Sequence, residues 1–195
     1  MIKLKDIIFP SISPTNEVIK LFESPVRIPQ WVDDNLSNIG KNLAFTKKIR
    51  KDYKKIDNFK QFEIYKNTLG KFNYDYFIDG EYIKAFFAYQ EYNNGKSFVE
   101  EKVWQDGLNI GLCREIVFDY YLKKYDRLIS DMTHSDLGEK YWLRLAKEAL
   151  VKGYKVFVLN TQTKEKIEMG IDDMKKYWDE NEETHFMYRF VIEKK

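Results

Sequence analysis

The chain has 195 residues, of which 44% are hydrophobic and 33% charged, and it carries a formal net charge of +2. That balance supplies apolar material for a core and charge for a surface, and it excludes wholesale disorder. Thirty-three Lys and Arg against thirty-one Asp and Glu leave no basic excess of the kind nucleic-acid phosphates select, so nucleic acid is not an expected partner.

The sequence contains no run of about 18 apolar residues, so no membrane-spanning helix is expected. Its start, MIKLKDIIFPSISP, lacks the apolar region and small-residue cleavage site of a secretion signal. A single cysteine, Cys113, rules out an intramolecular disulfide and points to a reducing, cytoplasmic setting. With two His beside that one Cys, there are too few ligands for a Cys/His zinc site.

All four prolines, Pro10, Pro14, Pro25 and Pro29, fall in the opening stretch. Residues 1–57 therefore read as an extension of short pieces packing on a domain formed by 58–195. Thr15-Asn16-Glu17 opens a short helix there. The run Lys47-Lys48-Ile49-Arg50-Lys51-Asp52-Tyr53-Lys54-Lys55 sets six basic residues against one acid. It reads as a solvated helix face, with a contact to phosphate or acidic partners as the other reading.

From Phe59 the period is two. Phe62–Tyr65 predicts a short strand, and Phe72, Tyr74, Tyr76 and Ile78 alternate with polar residues. Asp79-Gly80 predicts a type I′ hairpin turn into the alternation Ile83, Ala85, Phe87 and Tyr89. Asn93-Asn94-Gly95 turns into a further strand, Ser97–Trp104, completing an antiparallel meander.

The period then changes to about 3.6. Leu112, Ile116, Val117 and Tyr120 form a stripe that predicts a helix over 109–124. Arg127–Ser130 suits a buried strand, and strand–helix–strand in that order makes a crossover that sets its two strands parallel. Thr133 and Asp136 stand at capping-box spacing ahead of a helix carrying Trp142, Leu145, Ala146, Ala149 and Leu150, stopped at Lys152-Gly153. Val156–Leu159 and Phe186–Ile192 are further strands. Between them Ile167, Met169, Ile171, Met174 and Tyr177-Trp178 suggest a helix within 164–183.

Several residues invite chemistry. Ser130, Asp131, His134 and Ser135 form a compact Ser/His/Asp group. It has no G-x-S-x-G elbow, so capping and loop hydrogen bonds explain it better than a triad does. Cys113 lies near a helix start, where a thiolate is stabilised, but a small buried apolar residue explains it more simply. Glu100 and Glu101 on one strand could offer a carboxylate base to the cleft, one facing in and one out, with a solvated face as the simpler reading of both. His185, beside the last strand, fits either core or cleft.

The stretch from Val103 to Asn160 carries a resemblance. VWQDGLNIGLCREIVFDYYLKKYDRLISD followed by HSDLGEKYWLRLAKEALVKGYKVFVLN resembles the GNAT (GCN5-related N-acetyltransferase) superfamily. There a central strand feeds a glycine-containing loop and a helix whose backbone amides hold the pyrophosphate of acetyl-CoA. The resemblance implies an α/β fold with a mixed, mostly antiparallel central sheet and helices on both faces.

It also implies an acyl-CoA-dependent transfer to an unknown amine acceptor. Gly107, Leu108, Asn109, Ile110 and Gly111 would form the cofactor cradle, with Gln105 and Asp106 leading into it. Placing the family's first loop glycine on Gly111 puts Leu108 at the Gln/Arg position and Cys113 at the last small position. Asp106 then sets a negative charge beside the phosphates. The family's general-acid tyrosine falls on Trp142, with Tyr141 adjacent and about 100° away around the helix. Asp131 or His134 would take the proton of the amine.

Ile129-Ser130-Asp131, His134-Ser135, Gly138 and Trp142 together also resemble acetyltransferase-like proteins encoded by bacteriophages, which implies a host cytoplasm. The alternative function is a non-catalytic viral accessory module of the same fold, with a protein as its partner.

Overall fold

The computed structural model describes residues 43–92, 95–106, 109–130, 136–160, 162–163, 165–170, 173, 177 and 188–195. The short helix expected at Thr15, the residues Asp131, Thr133, His134, Ser135 and His185, and the loop positions Gly107 and Leu108 lie outside them. The elements, in chain order, are α1 (Leu43–Asp52), β1 (Lys54–Phe59), β2 (Phe62–Leu69), β3 (Phe72–Asp79), β4 (Tyr82–Tyr92) and β5 (Ser97–Gln105). α2 (Leu112–Ile116) continues through a π-helical stretch, Val117–Tyr121, into the last turn α3 (Leu122–Lys124). Then come β6 (Arg127–Ile129), α4 (Asp136–Val151), β7 (Lys155–Asn160), β8 (Lys166–Glu168) and β9 (Tyr188–Glu193). The architecture is mixed α/β with a mostly antiparallel sheet.

The described chain falls into two compact units. One takes in residues up to Gly70, Tyr74–Phe86 and Trp104–Ile110, and the other Lys71–Asn73, Phe87–Val103 and Gly111–Lys195. In the first unit, α1 buries Phe45 and Ile49 and exposes Lys47, Lys48, Arg50 and Lys51. The basic run is thus a solvated helix face that passes into the edge strand β1. Phe45 and Tyr53 both pack on Tyr76, with ring centroids 6.0 and 5.6 Å apart, and Phe59 meets Phe77 edge-on at 6.4 Å. β1 pairs antiparallel with β2, with a register shift between Lys55 and Asp57. The expected boundary at residue 57 therefore falls inside a strand.

The hairpin expected after Phe72 is present, but its turn differs by one residue. The two-residue loop is Gly80-Glu81, and only Gly80 has positive φ, at 55°. That is the pattern of a type II′ turn, which needs glycine at its first central position, and not of a type I′ turn, which needs positive φ at both.

In the second unit, strand order is β4-β5-β6-β9-β7-β8. The predicted crossover is there: β5 and β6 pair parallel, Phe98 opposite Leu128 and Val99 opposite Ile129. β9 returns antiparallel between β6 and β7, with Ile192 opposite both Leu128 and Val156. Ser130 completes that seam, its N–H donating to the Phe190 carbonyl at 2.8 Å and its hydroxyl accepting from the Phe190 N–H at 2.9 Å.

Tyr121 lies in the π-helical stretch, its ring 4.4 Å from Phe98 and 4.9 Å from Phe87, and Tyr89 stacks on Phe98 at 4.4 Å. Aromatic sheet packing therefore accounts for much of the aromatic content, as its spacing on the strands implies.

α4 buries Trp142, Leu145, Ala146 and Ala149. It ends at Gly153 with the paired bonds of a Schellman cap, Gly153 N–H to the Leu150 carbonyl and Tyr154 N–H to the Ala149 carbonyl. Two expectations are corrected. The helix begins at Leu112, because 109–111 form a turn in which the Asn109 N–H donates to the Asp106 carbonyl at 2.9 Å. Where a helix was expected from Ile167 onward, 166–168 form the short strand β8, with Ile167 opposite Val158.

Candidate functional site

The residues of interest cluster in the second unit, around β5, α2 and α4. β5 enters the core with Phe98 and Val99 buried, and the next residue, Glu100, is buried too at 5% exposure. A carboxylate at that depth is costly unless hydrogen-bonded. Tyr141 of α4 supplies one bond, its hydroxyl donating to Glu100 Oε2 at 3.1 Å.

Trp142, the residue at the expected tyrosine position, is instead a core side chain at 2% exposure, packed near Phe190. Neighbouring positions on α4 thus serve different ends, Trp142 filling the core and Tyr141 reaching the strand. Burial, the Glu100 charge and the Cys113 thiol beside it push the Tyr141 hydroxyl well above its ordinary pKa.

Cys113, in the first turn of α2, is buried, and its thiol is pushed well above its ordinary pKa, first by burial and then by Glu100. This is the opposite of an activated nucleophile. Glu100, one of the two carboxylates of β5, is buried. Ser130, buried and bonded to Phe190 on both sides of its peptide, is a seam residue and not a nucleophile.

The start of α2 has its own features. Gly111 is its N-cap at φ 89°, ψ −4°, and no side chain caps it among the described residues. The first intrahelical bond runs from the Glu115 N–H to the Gly111 carbonyl at 3.1 Å, so the amides of Leu112, Cys113 and Arg114 precede the ladder. Arg114 folds back over this end: a Cβ on Gly111 would lie 3.3 Å from its guanidinium. Its Nε donates to Glu148 of α4 at 3.1 Å. The arrangement sets a cation and oriented amides at one end of a helical run, which suits an anion such as a pyrophosphate.

Of the other expected cradle residues, Ile110 is 85% exposed in the first unit. Asn109 spends its backbone N–H on Asp106. Asp106 is not the bare charge its position suggested, because Lys84 Nζ sits 3.0 Å from its carboxylate and Asn109 Nδ2 lies 3.4 Å away.

The described residues hold no group of His, Cys, Asp and Glu that could bind a metal ion, and no helix among them is long and apolar enough to cross a membrane.

No protein-family model matches the chain, and no curated protein matches it. Among solved structures, one similar chain is a protein from Bacteroides thetaiotaomicron assigned to the GNAT family of acetyltransferases. The likeness has TM-score 0.35 and 9% identity, covering 64% of this chain and 63% of that one. Another is a protein from Staphylococcus epidermidis assigned as an acetyltransferase, with TM-score 0.34 and 10% identity over 92% of this chain and 91% of that one.

Proposed function

We propose that this protein is a GNAT-type, acyl-CoA-dependent N-acyltransferase acting on an amine. The observation that carries the reading is the hydrogen bond from Tyr141 to the buried carboxylate of Glu100, at 3.1 Å. It joins a hydroxyl of α4 to a carboxylate on β5, the strand that opens the crossover. Pairing of β5 with β6 stops at Val99 opposite Ile129 among the described residues, so Glu100 is the first residue of β5 past the paired stretch.

Acetyl-CoA, when bound, supplies the acyl group as a thioester. The first-turn amides of α2 and the Arg114 guanidinium would hold its pyrophosphate, with Gly111 at the start of that turn. Glu100 would accept the proton of the attacking amine, and Tyr141, whose proton is held tightly, would give it up only to a strong base such as a departing thiolate. Asp131 and His134, on the segment after β6, are further candidates for the acceptor's proton. A His134→Ala variant with undiminished transfer would remove that residue from the role.

Thermal unfolding with and without millimolar acetyl-CoA tests the reading. A ligand at about 100 times its dissociation constant adds about 2.7 kcal/mol, a shift of several degrees in a domain of this size. No shift, with no heat in a calorimetric titration, overturns it.

One observation favours a second reading, a non-catalytic module of the same fold that works through a protein partner. Arg114–Glu148 ties α2 to α4, and Tyr141–Glu100 ties α4 to β5, so both helices are already bonded across the region a cofactor would enter. The same titration separates the readings, because only the acyltransferase responds to acetyl-CoA.

A further inference from the structure

In the second unit β5, β6 and β7 begin at the end where β9 stops, and the order β5-β6-β9-β7 sets those strand ends in a row about 15 Å long. The Asp126 N–H donates to the Lys96 carbonyl at 2.9 Å and the Lys194 N–H to the Asp126 carbonyl at 3.1 Å, so Lys96 and Lys194 flank Asp126. Lys155 stands opposite Glu193, and a Cβ on Gly153 would lie 3.8 Å from Lys195 Nζ. Lys123 of α3 joins them, its carbonyl accepting from Lys194 Nζ at 3.5 Å.

The acids of this rim already have cations. Asp126 has Lys194 at 4.0 Å, and Glu193 has Arg127 at 2.8 Å and Lys166 as well. Lys96, Lys123, Lys155 and Lys195 are exposed and make no ion pair among the described residues. A lysine in the last turn of a helix offsets the dipole, which accounts for Lys123. Lys96, Lys155 and Lys195 stand at strand ends and have no such reason. Two exposed side chains bound the row: Val151 at the end of α4, 83% exposed, and Tyr92 at the end of β4 across the turn from Lys96, 46% exposed.

We propose that this rim docks on an anionic lipid bilayer, with the lysines against headgroup phosphates and carboxylates and Val151 in the headgroup layer. The inference does not depend on the acyl-CoA reading. Protein interfaces favour arginine and aromatic anchors and are depleted in lysine, whereas the guanidinium of this row, Arg127, is committed to Glu193. A nucleic-acid backbone would satisfy the lysines and leave Val151 in water. A bilayer takes both, because its surface attracts mobile point charges and its headgroup layer admits an apolar side chain beside them. Near-balance in net charge conceals the rim, whose lysines come from segments far apart in the chain.

The test floats the full chain with vesicles of phosphatidylcholine alone, and of phosphatidylcholine with phosphatidylserine, at low and physiological salt. Binding to the serine-containing vesicles only, weakened by salt, is expected. Each rim lysine contributes about 5-fold, so Lys123→Gln, Lys155→Gln and Lys195→Gln together should weaken binding about 100-fold. Lys47→Gln, Lys51→Gln and Lys54→Gln together remove the same charge from the first unit and should cost less than about 3-fold. Val151→Ser should weaken binding several-fold with charge unchanged. All these positions are exposed, and melting in parallel checks that each variant is folded. No binding to serine-containing vesicles, equal loss from the two triple variants, or no loss in Val151→Ser overturns the proposal. Tighter binding to a single-stranded oligonucleotide than to vesicles also overturns it and reassigns the rim to nucleic acid.

Discussion

Replacing Tyr141 with phenylalanine removes one oxygen and leaves the ring, so it isolates the bond to Glu100. The ring's edge-on contact with Trp142, 6.3 Å between centroids, can persist. What is lost is a hydrogen bond to a carboxylate that is 5% exposed. Bonds to charged groups contribute about 1.5–3 kcal/mol, and an under-satisfied buried carboxylate retains its desolvation cost. Glu100 keeps other interactions, so the expected loss is about 2 kcal/mol at pH 7.

Glu100→Gln should behave differently. The amide oxygen still accepts from Tyr141 while the buried charge disappears, so stability should change by no more than about 1 kcal/mol in either direction. Urea unfolding measures both, as shifts in midpoint at constant slope, and the double variant gives a coupling energy of about 1–2 kcal/mol.

Alkaline pH supplies a signed check. The folded-state pKa of Tyr141 is raised, so above about pH 10 the unfolded chain loses a proton that the folded chain keeps. The folded state then binds more protons, and stability falls as pH rises through that range. Tyr141→Phe lacks this term, so its deficit against the parent should shrink above pH 10. A Tyr141→Phe cost under about 0.5 kcal/mol, or strict additivity in the double variant, would refute the claim that the two side chains act as a pair.

Two further outcomes follow from the same region. Gly111→Ala forces a Cβ onto a residue at φ 89° and toward the Arg114 guanidinium, which is the mobile end of a side chain and can yield. The backbone strain remains, so a loss of about 1–2 kcal/mol is expected in thermal or urea unfolding. Lys102→Met should stabilise the protein at pH 7. The folded-state pKa of about 8 lies below the ordinary 10.5, so the unfolded chain binds more protons between those values and parental stability rises with pH across that window. The difference corresponds to about 3 kcal/mol at most, and the amine's partial exposure to water brings the expected gain to about 1–2 kcal/mol. The gain should vanish above pH 10.5, and a gain that persists there would trace to packing and not to charge.

What the sequence shows and hides follows from where each element's energy comes from. The 72–92 hairpin, the stripe from Trp142 to Ala149 and the stop at Gly153 all bury one face against a core, so their periods are written in apolar residues. β1 is an edge strand with the burial sequence exposed, exposed, exposed, intermediate, exposed, buried. Its Lys-Lys-Ile-Asp-Asn-Phe composition answers to solvent, and charged edges of that kind discourage pairing with other chains. Three-residue β8 is held from outside, by register with β7 and by an ion pair from Lys166 to Glu193. Its Ile167 therefore carries no strand period of its own and could be strung into a helical one.

The site was half legible for a related reason. Helical geometry places Tyr141 about 100° from Trp142, which argues for opposite fates when the helix is considered alone. That inference assumes a single buried face. α4 instead meets two strands of the sheet, with Phe190 of β9 near Trp142 and Glu100 of β5 hydrogen-bonded to Tyr141, so both positions face protein. A signal did exist: Glu100 stands two residues after Phe98, on the same face of β5, and a carboxylate on a buried face is tolerated only where something donates to it. One donor is 41 residues away in sequence, so the glutamate could be suspected from the chain, while Tyr141 could be named only once the fold had brought α4 against β5.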